Sequence, residues 1–435
     1  MKLKIFAFTG GFLLLTVSII RGASPVKVDQ LLNNGIRFYL NADSSAWSKI
    51  SFATQFWIRH TALNDGTVAQ SGEPLNSETD FALRRTRFSM YNNFDDRIVL
   101  YTQFGFNNLS ANSSKPQLYF HDIWAMFRVS PKVCYIGFGL NGWNGISRLS
   151  NTSFQKTLTA DNPGFNYPAV NHSDLESRQL GLFVKGTAGP VSYRAVVSKP
   201  FIYDGRPDDP EPHKGYEFPS SDLEYKGYAA FHFLDKEYFH TSYLDMTYLG
   251  KKRLLNLGAG FDIYPNSIAE FNEEGMKQLK NRILLGTDCF FEMPLEKGQV
   301  ISVYSVFYDF HFGKNYLRRS GTMNIWSGGT GPQGAGNNEY KIGTGSIWYT
   351  SCGYLFPGHF LNAPGQFQLF YALSEKNFEA LPVTLWGHDL GMNYYITGQK
   401  LKLSLQYSLR PELNEQADQV KRHPGTMIFQ IQLVI

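Results

Sequence analysis

Hydrophobic and polar side chains alternate with a period of two from about residue 46 onward, which is the pattern of β-strands with two different faces. In the segment 400–410, for example, Leu401, Leu403 and Leu405 fall on one face while Lys402 and Ser404 fall on the other. Most such segments reach the roughly 9–11 residues that a tilted strand needs to cross a bilayer, whereas strands of ordinary sheets average about five or six. The pattern predicts about sixteen strands, near residues 46–63, 80–94, 96–109, 117–130, 132–142, 176–187, 189–200, 222–234, 252–264, 278–293, 297–313, 340–354, 364–376, 384–397, 399–410 and 424–435.

The connections between these strands alternate in length. Short ones occupy 93–96, 130–132, 187–189 and 294–297, and longer ones occupy 64–79, 143–175, 201–221, 265–277 and 314–339. Short periplasmic turns and long extracellular loops are typical of outer-membrane barrels. We therefore predict an all-β, transmembrane, antiparallel up-and-down β-barrel in which the last strand pairs with the first. The segment 235–251 leaves an alternative open, because it could hide an extra hairpin and raise the count to eighteen.

The N-terminal segment has the features of a secretory signal peptide, with a basic start at Lys2 and Lys4, an apolar run and small residues near position 23. Removal of this segment lowers the net charge of the chain from +4 to +1. A nearly neutral chain gives no reason to expect nucleic acid as a partner. The high aromatic share of 15% argues against disorder. We expect a signal peptide over 1–24, a periplasmic lead-in over 25–45 and the barrel over 46–435.

The sequence offers little for catalysis or metal binding. Its three cysteines, Cys134, Cys289 and Cys352, have neither CxxC spacing nor a neighbouring histidine pair. There is no G-x-S-x-G and no H-E-x-x-H motif. We therefore expect no disulfide framework, no metal, no cofactor and no enzymatic activity.

One face of each predicted strand is suited to contact lipid, and the other face is suited to contact water. Phe88 and Met90 suit lipid, while Arg85 and Arg87 share the other parity. An arginine that faces lipid at mid-depth costs about 2–4 kcal/mol, so these charges are expected to face a water-filled lumen. Asp122 and Arg128 share the corresponding lumenal parity, and the aromatic residues near strand ends are expected to form interfacial girdles, among them Trp57, Trp348 and Tyr394.

A barrel of sixteen strands is too wide for side chains to fill, and a loop folded inward is what commonly narrows it. The longest predicted connection, 143–175, is the candidate constriction loop, since it carries charged and anchoring residues, namely Trp143, Arg148, Lys156 and Asp161. The alternative is an external surface loop.

Three segments carry a family resemblance: 80–109 (DFALRRTRFSMYNNFDDRIVLYTQFGFNNL), 121–149 (HDIWAMFRVSPKVCYIGFGLNGWNGISRL) and 389–407 (DLGMNYYITGQKLKLSLQY). They resemble the phosphate-selective porin O/P-like family of Gram-negative outer membranes. The resemblance implies a sixteen-stranded, usually trimeric barrel that passes small solutes by diffusion. It also implies cations that could attract anions, here Arg85, Arg87, Arg128, Arg148, Lys156, Lys185 and Arg194. Because Asp122 shares the parity of Arg128, a general or weakly anion-preferring pore is favoured over a phosphate-selective one.

These observations lead to a hypothesis about function. The chain is expected to be a passive outer-membrane porin for small hydrophilic solutes or inorganic anions, embedded in outer-membrane lipid as a homotrimer. One alternative is a non-conducting barrel that acts as an adhesin or docking platform through loops 201–221 and 314–339. Another is an outer-membrane hydrolase.

Overall fold

The chain folds into one closed antiparallel sheet of sixteen long strands, which confirms the predicted barrel. The computed structural model describes residues 35–95, 97–111, 116–130, 133–141, 145–172, 178–202, 211–237, 241–326, 328–329, 331–358, 360 and 363–435. The predicted signal peptide over 1–24 lies outside this part of the chain. The barrel strands are β1 Trp47–Ala62, β2 Ser77–Phe94, β3 Ile98–Leu109, β4 Tyr119–Ser130, β5 Cys134–Asn141, β6 Gln179–Ala188, β7 Val191–Lys199, β8 Glu224–His232, β9 Leu254–Phe271, β10 Lys277–Pro294, β11 Val300–His311, β12 Gly345–Leu355, β13 Gln366–Phe378, β14 Leu385–Tyr395, β15 Leu401–Leu409 and β16 Gly425–Val434.

The barrel closes between its first and last strands. β16 pairs with β15 on one side and with β1 on the other, from Ala53 opposite Val434 to Thr61 opposite Thr426. Beyond the end of β16, a short strand, Ile36–Tyr39, pairs with Trp47–Ile50 of β1. The predicted lead-in over 25–45 therefore contributes, in its described part, a strand of the wall.

The two faces of the wall have opposite chemistry. Large apolar side chains such as Phe104, Leu182 and Phe307 project outward and are exposed, while polar ones such as Gln55 and Asn393 point inward and are buried. This distribution of apolar and polar side chains is the reverse of that in a soluble protein. It is the distribution expected of a barrel that has lipid outside and a polar lumen inside. In the described part of the chain, no helix is long and apolar enough to cross a membrane.

The connections sort to the two ends of the barrel, and we name these the short-turn end and the long-loop end. Turns such as 189–190 and 295–299 lie at the short-turn end, where β1 starts and β16 ends. Two small hairpins belong to the long-loop end, Leu317–Ser320 with Glu339–Gly343 and Glu412–Leu413 with Val420–Arg422.

The structure corrects several sequence-based boundaries. The segment 265–277 is mostly strand, because β9 continues to Phe271 after a bulge and β10 begins at Lys277. Residues 340–343 belong to a loop hairpin, and β12 begins only at Gly345. The segment 235–251 holds no further barrel strand in its described residues. Trp57 is no girdle residue: it is fully buried inside the barrel and donates a hydrogen bond to Gln430.

Candidate functional site

The loop between β5 and β6 crosses the interior of the barrel. On one side, the backbone N–H of Arg148 donates to Asp288 of β10 at 2.6 Å. On the other side, the N–H of Ala160 donates to the side chain of Gln406 of β15 at 2.7 Å, and Lys402 of the same strand donates to the carbonyl of Thr157 at 3.2 Å. The described residues 145–172 therefore lie within the lumen, and we call them the lumenal loop. Trp143 falls outside the described residues.

Glycines in the wall allow the loop backbone to lie directly on it. Gly260 of β9 and Gly286 of β10 are cross-strand partners. A Cβ atom on Gly260 would meet the carbonyl oxygen of Gly145 at 2.0 Å, and one on Gly286 would meet that of Ile146 at 2.6 Å. Only the absence of side chains at this pair leaves room for the loop to begin there.

A second inward segment approaches from the short-turn end. The connection between β8 and β9 does not form a tight turn, and its described residues 241–246 reach the lumenal loop, with a bridge between Leu244 and Thr152. The buried Glu237 of this connection forms an ion pair with Arg148, whose guanidinium also lies 4.1 Å from the ring centroid of Phe290. The beginning of the lumenal loop is therefore fastened from both sides.

Lys156 fastens the middle of the loop to the same connection. Its Nζ donates to Asp245 at 2.6 Å. Burial raises the pKa of Asp245 above its usual value, although the charge of Lys156 opposes the shift.

Asp161 binds the far side of the loop to β2. Its two carboxylate oxygens accept from Arg84 at 2.9 Å and from Arg85 at 2.7 Å. Burial alone would raise the pKa of Asp161, but the charges of Arg84 and Arg85 outweigh this effect and hold the pKa below its usual value. A charged cluster therefore stands where the loop meets the wall opposite β10.

Two cavities lie on either side of the lumenal loop. The inner cavity, toward the short-turn end, has a volume of about 570 Å³ and reaches from Trp47 and Lys400 to loop residues 150–156. The outer cavity, toward the long-loop end, has a volume of about 120 Å³. Arg85 lines the inner cavity and its partner Asp161 lines the outer one, so this ion pair stands at the boundary between them.

The predicted lumenal residues differ in what they contact. Arg85 and Arg128 line the inner cavity. The others are buried and line neither of these two cavities, namely Arg87, Asp122, Lys185 and Arg194. Arg87 donates to the carbonyl of Phe106, and Asp122 is held by Tyr243 and Arg178. Lys185 donates to the carbonyl of Thr241 and Arg194 to that of Ser242, so both support the inward connection.

The charged residues that line the inner cavity are mostly cations. Among the described lining residues the acid is Asp245, and the basic residues are Arg37, Lys49, Arg85, Arg128, Lys156, Arg178 and Lys400. The outer cavity is balanced, with four cations and three acids, namely Arg59, Lys341, Lys376, Arg410, Asp161, Glu339 and Asp389.

Arg37 and Lys49, which line the inner cavity, were not among the residues predicted from the sequence to face the lumen. Lys49 was detectable in principle, since it shares the parity of Gln55 and Arg59 on β1. Arg37 was not, because its position depends on the pairing of a four-residue strand.

No group of three or more histidine, cysteine or acidic residues that could hold a metal ion occurs within the described ranges. The three cysteines are free.

The fold and the lumenal loop together define the architecture of a porin-like β-barrel. Known structures agree at the level of the fold. A structure of Salmonella typhi OmpF in complex with daunomycin has a TM-score of 0.53 at 8% identity, over 91% of this chain and 99% of that chain. OprB of Pseudomonas putida, in a structure at high pH, has a TM-score of 0.53 at 10% identity, over 89% of this chain and 94% of that chain. An anion-selective porin from Comamonas acidovorans has a TM-score of 0.50 at 10% identity, over 90% of this chain and 100% of that chain.

Sequence comparisons give no closer assignment. No model of a known protein family matches the chain, and no curated protein matches it. Since the identities to the solved structures are 8–10%, these structures indicate a shared fold alone.

Proposed function

We propose that the chain is an outer-membrane porin through which small hydrophilic solutes diffuse passively. The observation that carries this proposal is a lumen with two cavities on opposite sides of an inward loop, within a barrel whose outer face is apolar. A solute enters the outer cavity, passes the lumenal loop near Arg85 and Asp161 and leaves through the inner cavity. The lumenal loop is the constriction of this path, and no cofactor or covalent step is involved.

A preference for anions is the second part of the proposal. The cationic lining of the inner cavity supports it, because low-dielectric walls strengthen the potential of charges around a narrow aqueous space. Arg85, Arg178 and Lys156 are each paired with an acid, which weakens the field without removing it. Selectivity for phosphate in particular stays a prediction from the family resemblance.

We further propose an outer-membrane location with the short-turn end in the periplasm, as in other barrels of this architecture. Export by a cleaved signal peptide over 1–24 belongs to this proposal, as does assembly into a homotrimer. Light scattering of the detergent-solubilised chain measures the assembly, and a monomeric mass would contradict the trimer.

Swelling of proteoliposomes tests the transport function. Liposomes that contain the refolded chain are expected to swell in iso-osmotic arabinose or glucose, and more slowly in a trisaccharide, because the constriction limits size. Protein-free liposomes and liposomes with the heat-unfolded chain are the controls. A folded, inserted barrel that gives no swelling with any sugar would contradict the proposal and favour the docking alternative.

A further inference from the structure

A pair of like charges stands in the wall of the inner cavity. Arg37 and Lys49 are direct cross-strand partners in the pairing of Ile36–Tyr39 with β1, and both line the cavity. Directly opposed side chains in an antiparallel pair have Cβ atoms about 4.5–5.5 Å apart, and like charges in this arrangement destabilise the sheet. The pair therefore costs stability unless an anion lies against both charges.

No residue in the described part of the chain relieves this repulsion. There, neither side chain forms an ion pair or donates a hydrogen bond. The guanidinium of Arg37 lies 4.3 Å from the ring centroid of Trp47, which is itself stacked on Tyr91 at 5.4 Å. An aromatic face holds a guanidinium in place without cancelling its charge. The side chain of Arg37 is thus held in place while the pair of Arg37 and Lys49 keeps its positive charge.

A further charge faces the same space from another part of the wall. Arg128 of β4 lines the inner cavity and lies 5.5 Å from the ring centroid of Tyr135. It too forms no ion pair with a described residue. Cations at separate positions of one cavity match a ligand that carries more than one negative charge.

The size and lining of the cavity favour an organic ligand over a simple ion. A volume of about 570 Å³ lies within the range of roughly 300–1,000 Å³ that is usual for sites of organic molecules. Tyr91, Tyr101 and Tyr243 add aromatic surface to the lining. An anion with a ring body would contact this surface while its carboxylates meet the cations.

We propose that Arg37 and Lys49 form a binding site for ring-bearing organic polycarboxylates in the inner cavity. This inference deepens the proposed function, since it names a class of solute for the same lumen, and it rests on that function only for how the solute arrives. Binding in the assembled barrel is measurable without any transport.

Calorimetric titration of the detergent-solubilised full chain with benzene-1,3,5-tricarboxylate tests the site. Arg37→Gln and Lys49→Gln are each expected to raise the dissociation constant at least tenfold, because each removes a charge that contacts a carboxylate. Lys297→Gln, in the turn 295–299, removes a lysine that does not line the cavity and is expected to bind as the wild type does. Without ligand, both cavity variants are expected to unfold at the same or a higher temperature, since they relieve repulsion. A merely structural role would lower that temperature.

Several results would overturn the proposal. These are unchanged affinity in Arg37→Gln and Lys49→Gln, equal binding of the neutral 1,3,5-tris(hydroxymethyl)benzene, or inorganic phosphate that binds as tightly as the tricarboxylate. A measurement of whether the tricarboxylate blocks the KCl current distinguishes failure of the binding site from failure of the porin function. A conducting channel with no block and no binding defeats the site alone, whereas a silent barrel that still binds the tricarboxylate defeats the porin function alone.

Discussion

Replacing Asp161 with asparagine changes the charge at the boundary between the two cavities while nearly preserving shape. The carboxylate accepts from Arg84 at 2.9 Å and from Arg85 at 2.7 Å, and its side chain is 10% exposed. Removal of one partner from a buried ion pair typically costs about 3–5 kcal/mol. Because asparagine keeps one oxygen as an acceptor, we expect the free energy of unfolding to fall by about 3 kcal/mol, at the lower end of this range.

The effect on ion passage follows from the two arginines that remain. An anion that passes about 5 Å from one uncompensated unit charge gains roughly 3 kcal/mol at an effective dielectric constant of about 20. Screening reduces this gain, with a Debye length of about 10 Å at 0.1 M salt and about 3 Å at 1 M. If the free-energy difference that this charge makes between chloride and potassium is about 1 kcal/mol at 0.1 M, the permeability ratio of chloride to potassium rises about fivefold.

The assay is the zero-current potential of the reconstituted variant in a KCl gradient. Asp161→Asn is expected to shift this potential toward that of a chloride-selective channel, more at low than at high salt. The matched control is Asp418→Asn, which removes an exposed carboxylate of an outer loop. A potential of Asp161→Asn equal to that of the wild type, or shifted toward potassium, would refute the assignment of this ion pair to the path of the ions.

Three further changes test how the loop and wall are held. Gly260→Ala places a Cβ 2.0 Å from a loop carbonyl, so we expect about 1–3 kcal/mol of destabilisation and altered single-channel conductance, whereas Gly358→Ala, with no atom within 4 Å, changes neither. Glu237→Gln leaves Arg148 buried without its charged partner, and chemical unfolding is expected to show a loss of about 3–5 kcal/mol; a loss below about 1 kcal/mol would contradict the importance of this pair. Phe307→Arg puts a charge on the outward face and is expected to cost about 2–4 kcal/mol when unfolding is measured in lipid vesicles, and no cost would argue against lipid at this position.

The barrel was predictable because the alternation of apolar and polar residues within each strand indicates its two faces without reference to any other strand. A side chain of a barrel strand faces either lipid or the lumen, so the two chemistries alternate along the chain. Strand lengths and connection lengths then indicate a membrane barrel without any knowledge of long-range pairing. The same parity could have placed Trp57 correctly, since it shares the lumenal face of β1 with Gln55 and Arg59.

The interior was less predictable because it depends on contacts between distant segments. The inward course of 241–246 follows from its contacts with Thr152 and Lys156 of the lumenal loop, and no local pattern reports such a pairing. Likewise, parity alone cannot separate Arg85, which lines a cavity, from Arg87, whose charge is taken up by backbone carbonyls of its own strand and the next.

Single-channel recording of the purified, folded chain in a planar bilayer is the direct test of a continuous pore through this barrel. We expect stepwise conducting events of uniform size in KCl, with a zero-current potential that shows anion preference. Insertion of a folded barrel that remains electrically silent would contradict the claim that its two cavities belong to one continuous path for solutes.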